Sequence, residues 1–208
     1  RRLIVISTPS HRTSFMAQRA LAPCGAALIC WPLCRHGKVA ARYDKIHLFD
    51  VTLDGGESHR ESANYDGGET AVVVQLPFGS LGMSICYDVR FASLYRGLAE
   101  AGAHFITVPS AFTKPTGHAH WEILLRARAV ETGCYVLAPA QSGLHENGRE
   151  TYGHSVIIDP WGKILSKLDE GEGIITADLD LARLEKIRRQ LPVLEHGKPF
   201  KTHVITEA

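Results

Sequence analysis

The sequence predicts an α/β layered domain, with helices packed against the faces of a sheet. Three observations carry that expectation. Short apolar runs alternate with segments of helical period, glycines stand where the helical segments should stop, and a Pro- and Gly-bearing turn parts two late apolar runs.

Taken in order, residues 3–6 read as a strand and residues 14–21 as a short helix, although the patterning there is weak. It strengthens from about Lys38. Residues 43–49 read as a half-apolar strand carrying Lys45, with His47 on the same face by alternation. Residues 72–76 and 81–86 are apolar strands separated by Pro77-Phe78-Gly79. Residues 91–101 set Phe91, Leu94, Tyr95 and Leu98 at helical spacing and stop at Gly102. A buried strand at 105–108 precedes a helix at 119–132, whose Trp121, Leu124, Leu125 and Ala129 share one face and which ends at Gly133. Residues 135–138 form a strand and 142–150 a polar loop. Residues 154–158 and 163–167 form a hairpin across Asp159-Pro160-Trp161-Gly162. A strand at 173–177 leads to a helix at 181–190.

With 208 residues, the chain suits one domain with a sizeable core. Its 45% hydrophobic and 22% charged residues exclude a disordered chain. A formal net charge of +1 gives no general attraction to nucleic acid or an anionic membrane. No apolar run reaches the roughly 18–20 residues of a membrane span. The 11 histidines are scattered, and no His, Cys and carboxylate group has metal-site spacing, so no metal is expected.

The average charge hides an asymmetry. Arg1, Arg2, Arg12, Arg19, Arg35, Lys38 and Arg42 all precede the first acidic residue, Asp44, and Cys24, Cys30 and Cys34 lie in the same stretch. In composition it is similar to a transit peptide, but Pro9, Pro23 and Pro32 argue against one amphipathic helix. An odd cysteine count without a clear signal peptide predicts a reducing, cytoplasmic compartment. The organisation expected is an atypical segment, 1–36, followed by a domain, 37–208.

Cys86 stands where an apolar run gives way to a helix. There the helix's backbone N–H groups and positive dipole end favour a thiolate and a developing oxyanion. The alternative is an inert buried thiol, the reading given to Cys134 inside its apolar strand. Lys45 either faces solvent or enters a functional cleft, where it would lower a neighbouring thiol's pKa. Glu61 lies in a loop, where most carboxylates are merely solvated. Arg126 and Arg128 read as surface partners of Glu122 and Glu131.

The stretches Lys38-Val39-Ala40-Ala41-Arg42-Tyr43-Asp44-Lys45-Ile46-His47-Leu48-Phe49-Asp50, Arg60-Glu61-Ser62 and Gly82-Met83-Ser84-Ile85-Cys86-Tyr87-Asp88-Val89-Arg90-Phe91 together resemble the nitrilase superfamily. Pro109-Ser110-Ala111-Phe112-Thr113, Ala138-Pro139-Ala140-Gln141 and Gly153-His154-Ser155 continue the likeness, in order, over about residues 37–200. Within the superfamily it resembles the ω-amidase and deaminated-glutathione-amidase branch of carbon–nitrogen hydrolases. The resemblance implies an αββα sandwich, incomplete in its N-terminal part, and a Glu–Lys–Cys catalytic set. It implies Cys86 as nucleophile, Lys45 as oxyanion stabiliser and Glu61 as the group orienting the lysine and a water. The Tyr87 amide would assist, and Ser110, Ala111, Phe112 and Thr113 would border the substrate. It further implies no cofactor, a small-molecule amide substrate and a homodimer.

Two departures stand out. Phe91 is followed by Ala92-Ser93 where the family has Pro-Glu, and no carboxylate precedes Asp44 to serve as the family's N-terminal general base. The composition break near residue 36 leads us to expect a truncated or frame-shifted N-terminal reading. The activity expected is hydrolysis of a small carboxylate-bearing amide, with N-carbamoyl amines or nitriles as other substrates. Against it stand a non-catalytic member of the fold and, more remotely, a redox sensor.

Overall fold

The computed structural model describes residues 2–7, 18–21, 27–35, 38–53, 58–146 and 148–206. Early in the chain β1 (Arg2–Ser7), β2 (Gln18–Leu21), β3 (Ala27–Arg35) and β4 (Lys38–Asp44) are strands. The strand expected at 3–6 is therefore present. Of the helix expected at 14–21, residues 18–21 instead pair with β3 as a strand, and 14–17 lie outside the described residues. A backbone ladder to β3 overrides the weak local helical pattern.

The centre is a six-stranded sheet. In spatial order it runs β7 (Val72–Leu76), β8 (Gly79–Met83), β9 (Phe105–Thr107), β10 (Tyr135–Ala138), β13 (Ser155–Ile158) and β14 (Ile164–Leu168). The β8–β9 and β9–β10 pairs are parallel, and the outer pairs are antiparallel. Parallel neighbours need long crossovers, and two helices supply them. One is α1 (Ala92–Glu100), and the other is α3 (Glu122–Thr132), entered through a one-turn α2 (Lys114–Thr116) and a wide turn at Gly117–Trp121.

Both faces of the sheet are covered, which is why β9, β10 and β13 are apolar at nearly every position. Ile106, Val108, Val136, Ala138, Val156 and Ile158 face the helices and meet Leu94, Tyr95, Leu98, Trp121, Leu125 and Ala129. The alternate residues Leu81, Met83, Phe105, Tyr135, Leu137 and Ile157 pack on the other side with Tyr43, Ile175, Leu179 and Leu184. That second layer draws on β4, on β15 (Gly173–Asp178), which pairs with β1, and on α4 (Leu181–Gln190). Both helix stops read from glycine hold: Gly102 and Gly133 have φ of +89° and +58°.

Three local readings need correction. The strand expected through Phe49 ends at Asp44, since Gly68 N–H takes the Lys45 carbonyl at 2.8 Å and turns the chain away. His47 therefore does not share a strand face with Lys45. The loop at 142–150 contains a short hairpin, β11 (Ser142–Leu144) with β12 (Glu150–Tyr152). Arg128 is not a surface residue: it is buried, donates from Nε to Val89 O at 2.8 Å and pairs with Glu131. Glu122 and Arg126 do form a loose pair at 3.7 Å. Among the described residues no helix is long and apolar enough to cross a membrane.

The two-faced core makes a direct prediction about α3. Leu125→Ala, at a fully buried position, should lower unfolding free energy in urea by about 2–5 kcal/mol. Ile123→Ala, two residues away and exposed, should change it by less than about 0.5 kcal/mol.

Candidate active site

Cys86 follows β8 by three residues, where the chain leaves the sheet for a tight 3-10 turn at Cys86–Arg90. Its φ of +49° is in the left-handed region, unusual for a residue with a side chain. The turn is held by Cys86 N–H donating to Pro109 O at 2.9 Å and by Asp88 N–H donating to Ile85 O at 3.0 Å. The thiol is half-buried at a cavity of about 220 Å³.

The same cavity is lined by Lys45 and Glu61. Lys45 is buried, and its Nζ donates to Glu61 Oε2 at 2.5 Å. A buried ammonium without a partner would be strongly unfavourable, so the pair is a condition of Lys45 being there. Glu61 is placed by a second small hairpin, β5 (Asp50–Thr52) with β6 (Ser58–Arg60), after which it opens a 3-10 turn. Its Oε2 also accepts from Phe49 N–H at 2.7 Å. Hydrogen bonds from the Ser62 hydroxyl and amide hold the Asp50 carboxyl below its ordinary pKa and tie the 3-10 turn that Glu61 opens back to β5.

Asp88, which sequence reasoning did not single out, links the two halves of this arrangement. It is fully buried, and each of its oxygens takes two donors. Oδ2 accepts from Tyr43 Oη at 2.8 Å and Ile85 N–H at 2.9 Å, while Oδ1 accepts from His47 N–H at 3.0 Å and contacts His47 Nδ1 at 2.7 Å. Burial, and then the facing Asp88 charge, push the Tyr43 pKa up, so the hydroxyl stays neutral and donates. The His47 ring stacks on Phe91 at 3.6 Å between centroids. Asp88 thus fastens the segment bearing Lys45 to the turn bearing Cys86. The signal was the residue's place inside the quoted Cys86-Tyr87-Asp88 motif, an acid flanked by apolar residues.

The other residues named from sequence also line the cavity: Tyr87, Ser110, Ala111, Phe112 and Thr113. Ser110 is fixed by N–H to Pro139 O at 3.0 Å and Oγ to Val108 O at 3.1 Å. Thr113 and Thr116 share a hydroxyl–hydroxyl bond of 2.7 Å. Thr116, Gln141 and Arg149 line the cavity too and were missed as site residues, although Gln141 ends the quoted Ala138-Pro139-Ala140-Gln141 stretch. Arg149 lay in what read as a featureless polar loop. Cys134 is a core residue: its thiol donates to Ala103 O at 3.2 Å, and burial pushes its pKa up. Cys24, Cys30 and Cys34 have no described side chains. Among the described residues no group of three His, Cys, Asp or Glu side chains is arranged to hold a metal.

Asp88→Asn should place an amide NH2 against two donors, whichever way it turns. The expected loss is about 1–3 kcal/mol in urea unfolding. An unchanged midpoint would show that the four contacts do not hold the two segments together.

Against known proteins, residues 33–189 match the carbon–nitrogen hydrolase family model. A deaminated glutathione amidase from Synechocystis is 49% identical over 163 residues, covering 77% of this chain and 60% of the relative. The crystal structure of the NitFhit protein of C. elegans superposes with a TM-score of 0.79 at 40% identity, over 86% of this chain and 44% of that one. A variant of an amidase from Nesterenkonia sp. AN1, with acrylamide added to its active-site cysteine, has a TM-score of 0.67 at 31% identity, over 84% and 66%. The chain spans about 60% of the length of the Synechocystis relative.

Proposed function

The chain belongs to the carbon–nitrogen hydrolase family, and from that premise we propose that it hydrolyses a small carboxylate-bearing amide through a thioester on Cys86. The observation that carries the reading is the meeting of the Cys86 thiol with the Lys45–Glu61 pair on one cavity. Amidase names among its relatives favour an amide over an N-carbamoyl amine or a nitrile.

In the proposed reaction Cys86 Sγ attacks the amide carbon, and the carbonyl oxygen takes up negative charge. The Lys45 ammonium and the Tyr87 N–H, at the head of the 3-10 turn, face that charge. Collapse of the tetrahedral species breaks the C–N bond, and the thiol's proton leaves with the nitrogen as ammonia. Water then attacks the thioester, releasing a carboxylate and restoring the thiol. Glu61 is the carboxylate among the described lining residues, and its roles are to orient Lys45 and the water.

One observation favours a second reading. Glu61 is the one carboxylate among the described residues that line the cavity, and it is engaged by Lys45 and the Phe49 amide, so no second carboxylate among them stands ready as a general base. A site without such a base would belong to a catalytically impaired member serving a binding or assembly role.

Ammonia release from a panel of small ω-amides, N-carbamoyl amines and nitriles separates the readings. The amidase reading expects turnover of the amides, its loss in Cys86→Ala, and a fall of about 100-fold or more in Lys45→Ala or Glu61→Gln. A folded chain inert toward the whole panel favours the impaired member.

A further inference from the structure

We infer that Gln141 is a substrate-binding residue of this site, its carboxamide pairing with a second amide group of the substrate while the reacting amide meets Cys86. The inference rests on the amidase reading above and narrows its substrates to carboxylate-bearing amides that carry a further amide within the chain.

Several polar side chains on the cavity are already paired. Lys45 binds Glu61, Thr113 binds Thr116, and Ser110 Oγ donates to Val108 O. Gln141 is different. It lines the cavity half-buried, and its carboxamide has no hydrogen-bond partner among the described residues. Its NH2 and its carbonyl therefore present a donor and an acceptor side by side. The group that fills both at once is another amide, which offers the same two functions in reverse order. A carboxylate has no proton to give the Gln141 carbonyl, and an alkyl chain would leave both functions unpaired.

The backbone sets where that carboxamide stands. Strands β8, β9 and β10 run parallel, with Met83 beside Thr107 and Thr107 beside Leu137. Beyond their ends the same register continues. Cys86 N–H donates to Pro109 O, Ser110 bridges to Ala140, and Gln141 N–H donates to Ser110 O at 2.9 Å. Gly153 N–H donates in turn to Gln141 O at 2.9 Å, so the Gln141 backbone is held from both sides. The cavity thus opens at the carboxyl ends of three parallel strands, where sheets of this kind bind their ligands. Cys86 and Gln141 stand two strand spacings apart across that opening, roughly 10 Å. One short ligand can therefore meet the thiol at its amide end and Gln141 further along its chain.

The test compares N-succinamoylglycine with pimelamic acid. Both have a terminal carboxamide and a terminal carboxylate at the same separation in chain atoms, and only the first has an amide between them. In the unmodified chain kcat/KM, read as ammonia release, should favour N-succinamoylglycine by at least about 10-fold. In Gln141→Met, which keeps the length of the side chain, the ratio of the two kcat/KM values should fall by about the same factor. No preference in the unmodified chain, or an unchanged ratio in the variant, overturns the inference, because a residue that only shapes the cavity wall would affect both substrates alike. Should neither compound be hydrolysed, the amidase reading fails, and calorimetric binding of the same two compounds decides the subsite alone. Tighter binding of N-succinamoylglycine that is lost in Gln141→Met sustains it. Equal binding of the two, a difference that survives in Gln141→Met, or no binding to the unmodified chain overturns it.

Discussion

The buried carboxylate of Asp88 takes donors from Ile85, three residues before it, and from His47 and Tyr43, 41 and 45 residues before it, and the geometry of the site follows from that joint. From one side come Tyr43 Oη and the His47 amide and ring, which bracket Lys45. From the other comes the Ile85 amide, immediately before Cys86. A carboxylate out of water needs its oxygens filled, and here each accepts two donors. Because the acceptor is shared, the lysine segment and the cysteine turn cannot move independently. Sheet packing alone would not achieve this, since Lys45 lies beyond the end of β4 and Cys86 beyond the end of β8.

The Lys45–Glu61 pair depends on the same joint. An ammonium this buried is acceptable only with a carboxylate against it, and Glu61 reaches it from a turn that Ser62 ties back to Asp50. Glu61 Oε2 is also bonded to the Phe49 amide, so its position is set by backbone as well as by charge. The result is a preorganised cation on the cavity that the Cys86 thiol also lines, with little side-chain freedom left to it.

Much of the scaffold was legible in the sequence because local rules sufficed. Helix α1 and strands β7 and β10 follow apolar period, and Gly102 and Gly133 end their helices at positive φ, as their placement suggested. What failed was set by distant partners. Arg128 looked like a surface ion pair because its carbonyl acceptor, Val89, is 39 residues away. The strand through Lys45 was overextended because Gly68, remote in sequence, captures the Lys45 carbonyl. For the site, the motif residues pointed to one cavity, but Asp88 is held through contacts no local pattern encodes, and Arg149 reaches the cavity wall from the loop. A polar loop and a short motif acid look alike in sequence whether they are solvated or built into a wall.

The backbone at Cys86 shows why the joint must be strong. A residue with a Cβ at φ +49° gives up roughly 1–3 kcal/mol relative to relaxed geometry, and it persists only where its surroundings over-determine it. Here they do so from both sides: Pro109 O accepts from Cys86 N–H, while Asp88 holds the Ile85 amide and closes the turn on Ile85 O. The strained turn brings the thiol out of the strand's register and toward the cavity, where a regular strand residue would alternate into one of the two cores. Replacing Cys86 by glycine would relieve that strain while deleting the thiol, so a gain in stability paired with loss of the reactive group would be the signature of a conformation held for chemistry.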